Sequence, residues 1–89
     1  MSASQLEQEL TTYSELVARS DRLPTADLEP ALLGLLGEVG GVLTTAKKVI
    51  REKSAYQAFQ QDAEEELGDT LWYLAAVCRR TGVSLSSIF

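Results

Sequence analysis

Two carboxylates in the last third of the chain have the spacing of a cation site. Glu66 and Asp69 are three residues apart in a segment whose pattern predicts a helix, and that spacing places both side chains on one helix face. The residues that follow, 71–78, are almost all apolar, which predicts a helix that is buried on every side. Carboxylates that enter such surroundings normally neutralise a cation, and a hard divalent cation takes their oxygens. The segment therefore predicts a Mg²⁺ site, which Mn²⁺ can also occupy.

A third acid strengthens this interpretation. Most Glu and Asp residues on helices are solvated surface groups, so the pair at 66 and 69 is a weak signal by itself. Glu38 lies on the flank of the preceding predicted helix, and it meets Glu66 and Asp69 across a groove if the two helices pack antiparallel. Three carboxylates that converge in this way repel one another unless cations lie between them.

The elements that position these acids are predicted to be helices, and the protein is predicted to be all-α. The 89 residues form one small domain, 1–89, and none of the patterns indicates a strand. A chain this short buries only about 60% of its unfolded surface, whereas 45% of its residues are hydrophobic. We therefore expect a homo-oligomer, a dimer or a tetramer, whose protomers form four-helix bundles.

Start signals set the first two helices. The capping box Ser4-x-x-Glu7 is predicted to open the first helix, and the segment 22–25 to end it. The second helix begins near Leu28, because Pro30 fits only a first turn. Its apolar stripe consists of Leu32, Leu35, Leu36, Val39, Val42, Leu43, Ala46, Val49 and Ile50. Gly34, Gly37, Gly40 and Gly41 interrupt it, which indicates close helix–helix approach or weak local selection.

The third helix carries the two spaced acids. It begins at a cap at either Ser54 or Asp62 and runs to about Thr81, with Gly82 as its stop. Its main core face is predicted to consist of Phe59, Ala63, Leu67, Thr70, Leu71, Leu74 and Cys78. Ser84 is a possible cap for a short fourth helix.

Composition excludes several function classes. The net charge is −5 with no basic cluster, so nucleic-acid binding is not expected. There is no histidine, which rules out His-based catalysis and the Glu-x-x-His di-metal motif. The single cysteine, Cys78, is expected to be a buried structural thiol. Since the sequence has neither an apolar run of about 18 residues nor a signal-peptide pattern, we expect a cytoplasmic protein without membrane contact.

The chain resembles the MazG-like, all-α nucleoside triphosphate pyrophosphohydrolases. The resemblance runs from about Leu28 to Phe89. The segments that carry it are Gly34-Leu35-Leu36-Gly37-Glu38-Val39-Gly40, Lys47-Lys48, Glu65-Glu66-Leu67-Gly68-Asp69-Thr70-Leu71-Trp72-Tyr73-Leu74-Ala75 and Gly82-Val83-Ser84-Leu85. It implies an enzyme that holds Mg²⁺ with a Glu-x-x-Glu motif on one helix and a Glu-x-x-Asp motif on the next. Water then attacks the triphosphate and releases a nucleoside monophosphate and pyrophosphate.

The resemblance also assigns roles to individual residues. By position, Glu38 is the first metal ligand, and Glu66 and Asp69 are the second pair. Glu65 is either a further ligand or the group that orients the attacking water, so Glu38 and Glu65 are the catalytic candidates. Such a site suits the reaction, because metal ions neutralise phosphate oxygens and lower the pKa of the attacking water.

Two departures from the family pattern bear on activity rather than on fold. Gly41 stands where the family has the second Glu of its first pair, so one metal ligand is missing and turnover is expected to be weak or absent. The family also continues with a further helix that carries an Asn and a Lys near the substrate, whereas this sequence stops at residues 87–89. Either the sequence is a fragment, or it is a short form that relies on a neighbouring subunit.

The remaining candidate residues each have two interpretations. Lys47 and Lys48 bind phosphate oxygens of the substrate, or they are cations favoured near a helix C-terminus. Trp72 and Tyr73 stack on the base, or they belong to the core, which is the favoured interpretation. The pair at 79 and 80, both Arg, is expected to be a solvated helix end.

Three functions follow for the molecule. The first is a house-cleaning pyrophosphohydrolase that acts on a standard or modified nucleoside triphosphate with Mg²⁺. The second is a non-catalytic helical module of the same fold, for oligomerisation or nucleotide sensing. The third is a related enzyme, the phosphoribosyl-ATP pyrophosphatase of the histidine pathway.

Overall fold

The computed structural model of the chain describes residues 1–24 and 27–89, and the regular structure in those residues is helical. The elements are Ala3–Ser20 (α1), Leu28–Glu52 (α2), a 3₁₀ turn at Lys53–Ala55, Phe59–Thr81 (α3) and Leu85–Ile88 (α4). None of the described residues lies in a β-strand, so the prediction of an all-α chain is confirmed. Within the same ranges no helix is both long and apolar enough to cross a membrane.

The first two helices begin at local sequence signals. A capping box opens α1, but it is formed by Ser2 and Gln5 and not by the predicted pair two residues later. The Gln5 N–H donates to Ser2 Oγ at 3.2 Å, and the Ser2 N–H donates to Gln5 Oε1 at 2.7 Å. The earlier box satisfies the orphan N–H groups first, so the helix starts there. The predicted start of α2 at Leu28, with Pro30 in the first turn, is confirmed.

The third helix begins between its two predicted caps. Its N-cap is Ala58, which has no capping side chain, while Asp62 instead accepts a hydrogen bond from the Tyr56 hydroxyl. Gly82 ends α3 in the left-handed region at φ 72°, as the sequence predicts. Helix α1 ends at Ser20, before the segment 22–25 that was predicted to end it. Thr25, the last residue of that segment, lies outside the described residues.

Helices α2 and α3 form an antiparallel hairpin whose contact runs through glycines. A Cβ atom built on Gly34 would lie 2.6 Å from Tyr73 Cζ, and one built on Gly41 would lie 2.8 Å from Glu66 Cδ. The seven residues forward from Gly34 to Gly41 on α2 thus correspond to the seven residues backward from Tyr73 to Glu66 on α3, which is the register of an antiparallel pair. The side chains of Tyr73 and Glu66 lie directly against the α2 backbone, so these two glycines do serve close helix–helix approach.

Much of the predicted apolar stripe of α2 is exposed in the single chain. Of the predicted core residues, those that are exposed in the structure are Leu32, Leu36, Val39, Leu43, Ala46, Ile50, Phe59, Leu67 and Leu71. The apolar core is small and consists of Val17, Ala31, Ala75, Ala76, Cys78 and Leu85. In the single chain the prediction that residues 71–78 are buried on every side holds only in part, because Leu71 is 40% exposed whereas Ala75, Ala76 and Cys78 are buried. Because the glycine-lined face of α2 meets α3, the larger apolar side chains point elsewhere.

An ion pair joins the end of α1 to the end of α3. The side chains of Asp21 and Arg80 are only 2% and 6% exposed, and Arg80 Nη1 donates to Asp21 Oδ2 at 2.6 Å. Arg80 Nε also donates to the Asp27 carbonyl oxygen at 3.0 Å, which ties the start of α2 to the same guanidinium. The expectation that Arg80 is solvated is therefore wrong, whereas Arg79 remains half exposed. The cluster fixes three helix ends around one buried cation.

Candidate functional site

The hairpin brings the three predicted carboxylates together. Partial burial of Glu38 is the main cause that raises its pKa above the ordinary value. The negative charges of Asp69 and Glu66 add to this effect, as does a hydrogen bond between Glu38 and Glu66. The antiparallel packing on which the site prediction depended is thus present, and the acids of α2 and α3 face one another.

Gly41 provides the space in which one of these acids lies. A Cβ atom at position 41 would lie 2.8 Å from Glu66 Cδ and 3.2 Å from Glu66 Oε1. Any side chain there would compete with the Glu66 carboxylate for the same volume. The glycine that the sequence analysis interpreted as a missing ligand therefore also provides the space for the carboxylate of Glu66, which is a predicted ligand. Nothing in the sequence shows this, because the contact depends on the register between two helices.

The donor set fits Mg²⁺ in its chemistry, since three carboxylates supply only hard oxygen ligands. Their arrangement is not yet that of a metal shell. Within residues 1–24 and 27–89 no group of three or more Cys, Asp or Glu side chains is placed to hold a metal ion. A metal ion at this place would require the carboxylates to move relative to one another.

A tyrosine from α1 adds a third element to the site. Tyr13 is partly buried and packs against the core cluster. Burial raises the pKa of its phenol, and the nearby negative charge of Asp69 raises it further. Sequence reasoning missed Tyr13 because it continues the apolar spacing of α1 and so resembles a core residue. The only available signal was a hydroxyl group in an otherwise apolar stripe.

The two lysines lie far from the carboxylates. Lys47 is exposed, while Lys48 is half-buried with its Nζ atom 5.2 Å from the centre of the Tyr56 ring, within the range of a cation–π contact. Lys48 is ten residues beyond Glu38 on the same helix, which is about 15 Å along the axis. The structure therefore does not bring these lysines to the acidic cluster. Glu65, the candidate for orienting water, is exposed on α3.

The aromatic pair takes part in packing between helices. The rings of Trp72 and Tyr73 are edge to face, with centroids 5.1 Å apart. Trp72 Nε1 donates to Ser20 Oγ on α1 at 3.0 Å, and the Tyr73 ring lies against Gly34 on α2. These contacts agree with the interpretation of both residues as core. They leave a role in base stacking as a prediction.

Comparisons with known proteins give one relative and no family. No protein-family model matches the chain, and no solved structure matches it. The chain is 36% identical over 58 residues to the "Gene 37 protein" of Mycobacterium phage L5. The match covers 63% of this chain and 51% of the relative, so the chain spans about half the length of that curated relative. Since the relative's name describes no activity, the resemblance to MazG-like enzymes stays a prediction.

Proposed function

We propose that the chain binds Mg²⁺ between α2 and α3 and hydrolyses a nucleoside triphosphate to a monophosphate and pyrophosphate. The observation that supports this most directly is the convergence of Glu38, Glu66 and Asp69 from two helices, close enough for their charges to raise the pKa of Glu38. Acids that repel one another in a partly buried contact between two helices favour a cation between them. The reaction itself comes from the resemblance to MazG-like enzymes.

Each carboxylate has a role in this proposal. Glu38, Glu66 and Asp69 would hold the metal. When bound, Mg²⁺ supplies charge that neutralises phosphate oxygens and lowers the pKa of a water molecule. Glu65 lies on the same helix and orients that water or adds a ligand. Tyr13 borders the cluster from α1 and excludes solvent from its side.

A screen for pyrophosphate release tests the proposal. The protein is incubated with standard and modified nucleoside triphosphates and with phosphoribosyl-ATP, each with Mg²⁺ or Mn²⁺. We expect release from at least one substrate, lost in Glu66→Gln and in Asp69→Asn. Glu64→Gln is the matched control, since Glu64 belongs to the same acidic run but lies on the opposite side of α3 from Glu66 and Asp69 at 100° per residue. Release that survives in Glu66→Gln and Asp69→Asn as it does in the control would contradict the assignment.

A non-catalytic module is the second candidate. It is favoured by the absence of a ready three-ligand metal shell among the described residues and by the glycine at position 41. In this case the chain binds nucleotide or another copy of itself but releases no pyrophosphate. Calorimetric titration with a non-hydrolysable triphosphate separates the two candidates, because binding without turnover in the screen identifies the module.

The proposal also includes self-association and a location. We propose that the protein forms a dimer or tetramer, because the apolar side chains of α2 left exposed in the single chain outnumber those that are buried. A nucleotide substrate places the function in the cytoplasm, and neither nucleic acid nor a membrane is needed for it. Light scattering after gel filtration measures the mass of the particle.

A further inference from the structure

One face of α2 is apolar and exposed along the whole helix. This outer seam consists of Leu32, Leu36, Val39, Leu43, Ala46 and Ile50. Leu36, Leu43 and Ile50 are 69%, 57% and 75% exposed. At 100° per residue the seam lies nearly opposite the glycines of α2 that face α3. No part of the described chain covers it.

The spacing of the outer seam is that of a helix-pairing surface. Its residues follow one another at alternating intervals of four and three, which is the repeat of a coiled-coil seam. The intervals read the same in both directions along the helix. Two antiparallel copies of α2 therefore match position for position, with Leu32 opposite Ile50, Val39 opposite Leu43, and the larger Leu36 opposite the smaller Ala46. The symmetry axis then passes at the level of Gly41.

The charges at the two ends of α2 select this orientation. Glu29 lies in the first turn and Arg51 in the last. An antiparallel pair places Glu29 of each copy at the same end as Arg51 of the other, which also pairs with Glu52 of its own chain, and it opposes the two helix dipoles. A parallel pair places the two Glu29 side chains together and aligns the two dipoles.

We propose that the outer seam of α2 is a self-pairing surface on which a second copy of this chain lies antiparallel. This inference names the face and the orientation of the self-association in the proposed function, and it does not depend on hydrolysis. Glu66→Gln, expected to be inactive, is therefore expected to pair like the wild type, so that a failure of one idea leaves the other standing.

The first experiment measures pairing in solution by analytical ultracentrifugation. Leu43→Glu places a charge near the centre of the seam in both copies, and we expect it to raise the dissociation constant about 100-fold or more. Leu16→Glu is the matched control on α1, since Leu16 is 50% exposed but lies outside the seam. Circular dichroism checks that both variants stay helical. A monomeric wild type at micromolar concentration overturns the proposal, as does a Leu43→Glu variant that pairs normally because another face is used.

The second experiment tests orientation by disulfide cross-linking. The buried Cys78 is first replaced in Cys78→Ala, so that the only thiols are engineered. Glu29→Cys and Arg51→Cys are then made in separate chains. We expect cross-linked dimers when the two variants are mixed and only monomers when either is oxidised alone. Cross-linking of Glu29→Cys with itself shows a parallel pair and overturns the antiparallel arrangement.

Discussion

Gly41 shows how a single residue can be interpreted in two opposite ways. From the sequence it is a lost carboxylate in a metal-binding pattern. In the structure its missing side chain is the space that the Glu66 carboxylate fills, one helix away. Both statements concern the same atoms, and they predict different effects of a substitution. A longer side chain at position 41 adds a group, but it also moves Glu66 away from Glu38.

Alanine substitutions separate these effects. Gly37 and Gly41 lie on the same helix, but a Cβ at position 37 meets nothing within 4 Å. We expect Gly37→Ala to stabilise the fold by about 1 kcal/mol through helix propensity. Gly41→Ala is expected to gain less, because the Glu66 side chain must rotate out of its seat. Chemical denaturation compares the two, and equal gains would show that the contact at position 41 has no energetic consequence. By the same argument, Gly41→Glu is expected to displace Glu66 and not simply to complete a ligand set.

Divalent ions are expected to stabilise the protein through the three carboxylates. At ten times its dissociation constant, Mg²⁺ adds about 1.4 kcal/mol, which corresponds to roughly 5–10 °C in melting temperature for a chain of this size. Glu66→Ala and Asp69→Ala are expected to remove this increment, whereas Glu64→Ala keeps it. Differential scanning fluorimetry with and without nucleotide measures it. A wild-type melting temperature that ignores Mg²⁺ and Mn²⁺ in both conditions would refute the metal site.

At the scale of the elements, α2 has two different faces. One face, with Gly34 and Gly41, receives side chains of α3, and the opposite face carries the exposed outer seam. Helix α1 is held by polar contacts at its end, where Asp21 meets Arg80 and Ser20 meets Trp72. The acidic cluster thus depends on the register of the α2–α3 hairpin. The buried ion pair between Asp21 and Arg80 fixes the helix ends that surround the Arg80 guanidinium.

The buried ion pair predicts a pH-dependent stability. A hydrogen bond from Arg80 is the main cause that lowers the pKa of Asp21. Since the folded pKa lies below the unfolded one, the contribution is fully present above the unfolded pKa. It is lost as the pH falls through the folded pKa. We expect Asp21→Asn to cost about 3 kcal/mol at pH 7, because it leaves the guanidinium buried without its partner.

The control for this prediction is an exposed ion pair. Arg51 and Glu52 are 2.7 Å apart at the surface, and Glu52→Gln is expected to change stability by no more than about 0.5 kcal/mol. Denaturant unfolding from pH 7 to pH 3 measures both variants. The difference between the wild type and Asp21→Asn should shrink towards the acid end. A difference that stays constant over this range would show that the charge of Asp21 is not what stabilises the fold.

At the scale of the whole molecule, the single chain buries few large apolar side chains. Half of its buried apolar residues are alanines, and Val17 is its largest fully buried side chain. Large apolar residues such as Leu36 and Leu43 remain exposed. Burying such side chains is the main favourable contribution to folding. The exposed apolar surface therefore makes association with a second copy a source of stability that the protomer by itself does not have.

Stability is consequently expected to depend on protein concentration. If folding and pairing are linked, the melting temperature of the wild type rises with concentration by mass action. Leu43→Glu is expected to melt at a lower temperature that no longer varies with concentration, whereas Leu16→Glu keeps the dependence. Calorimetry over a hundredfold range of protein concentration measures this dependence. Such a range changes the free energy of association by about 2.7 kcal/mol per mole of dimer. A wild-type melting temperature independent of concentration would contradict linked pairing.

The sequence by itself determined the helical content, the start of α2 and the stop of α3. The start of α2 at Leu28 and the stop of α3 at Gly82 follow from the backbone chemistry of proline and glycine, which acts within a few residues. Helical periodicity places Glu66 and Asp69, which are three residues apart, on one face of α3. Such features are local, and the sequence carries local information directly.

Only the tertiary structure decided which faces meet. The sequence predicted an apolar stripe on α2 and glycines for close helix–helix approach, but only the structure shows that Gly34 and Gly41 meet α3 while most of the stripe is exposed. The reason is steric: without a Cβ, Gly34 and Gly41 let the side chains of Tyr73 and Glu66 lie against the backbone. The burial of Arg80 has a similar origin, because its partner Asp21 is 59 residues away in the sequence. Contacts of this kind depend on how whole helices align, and no local pattern specifies that alignment.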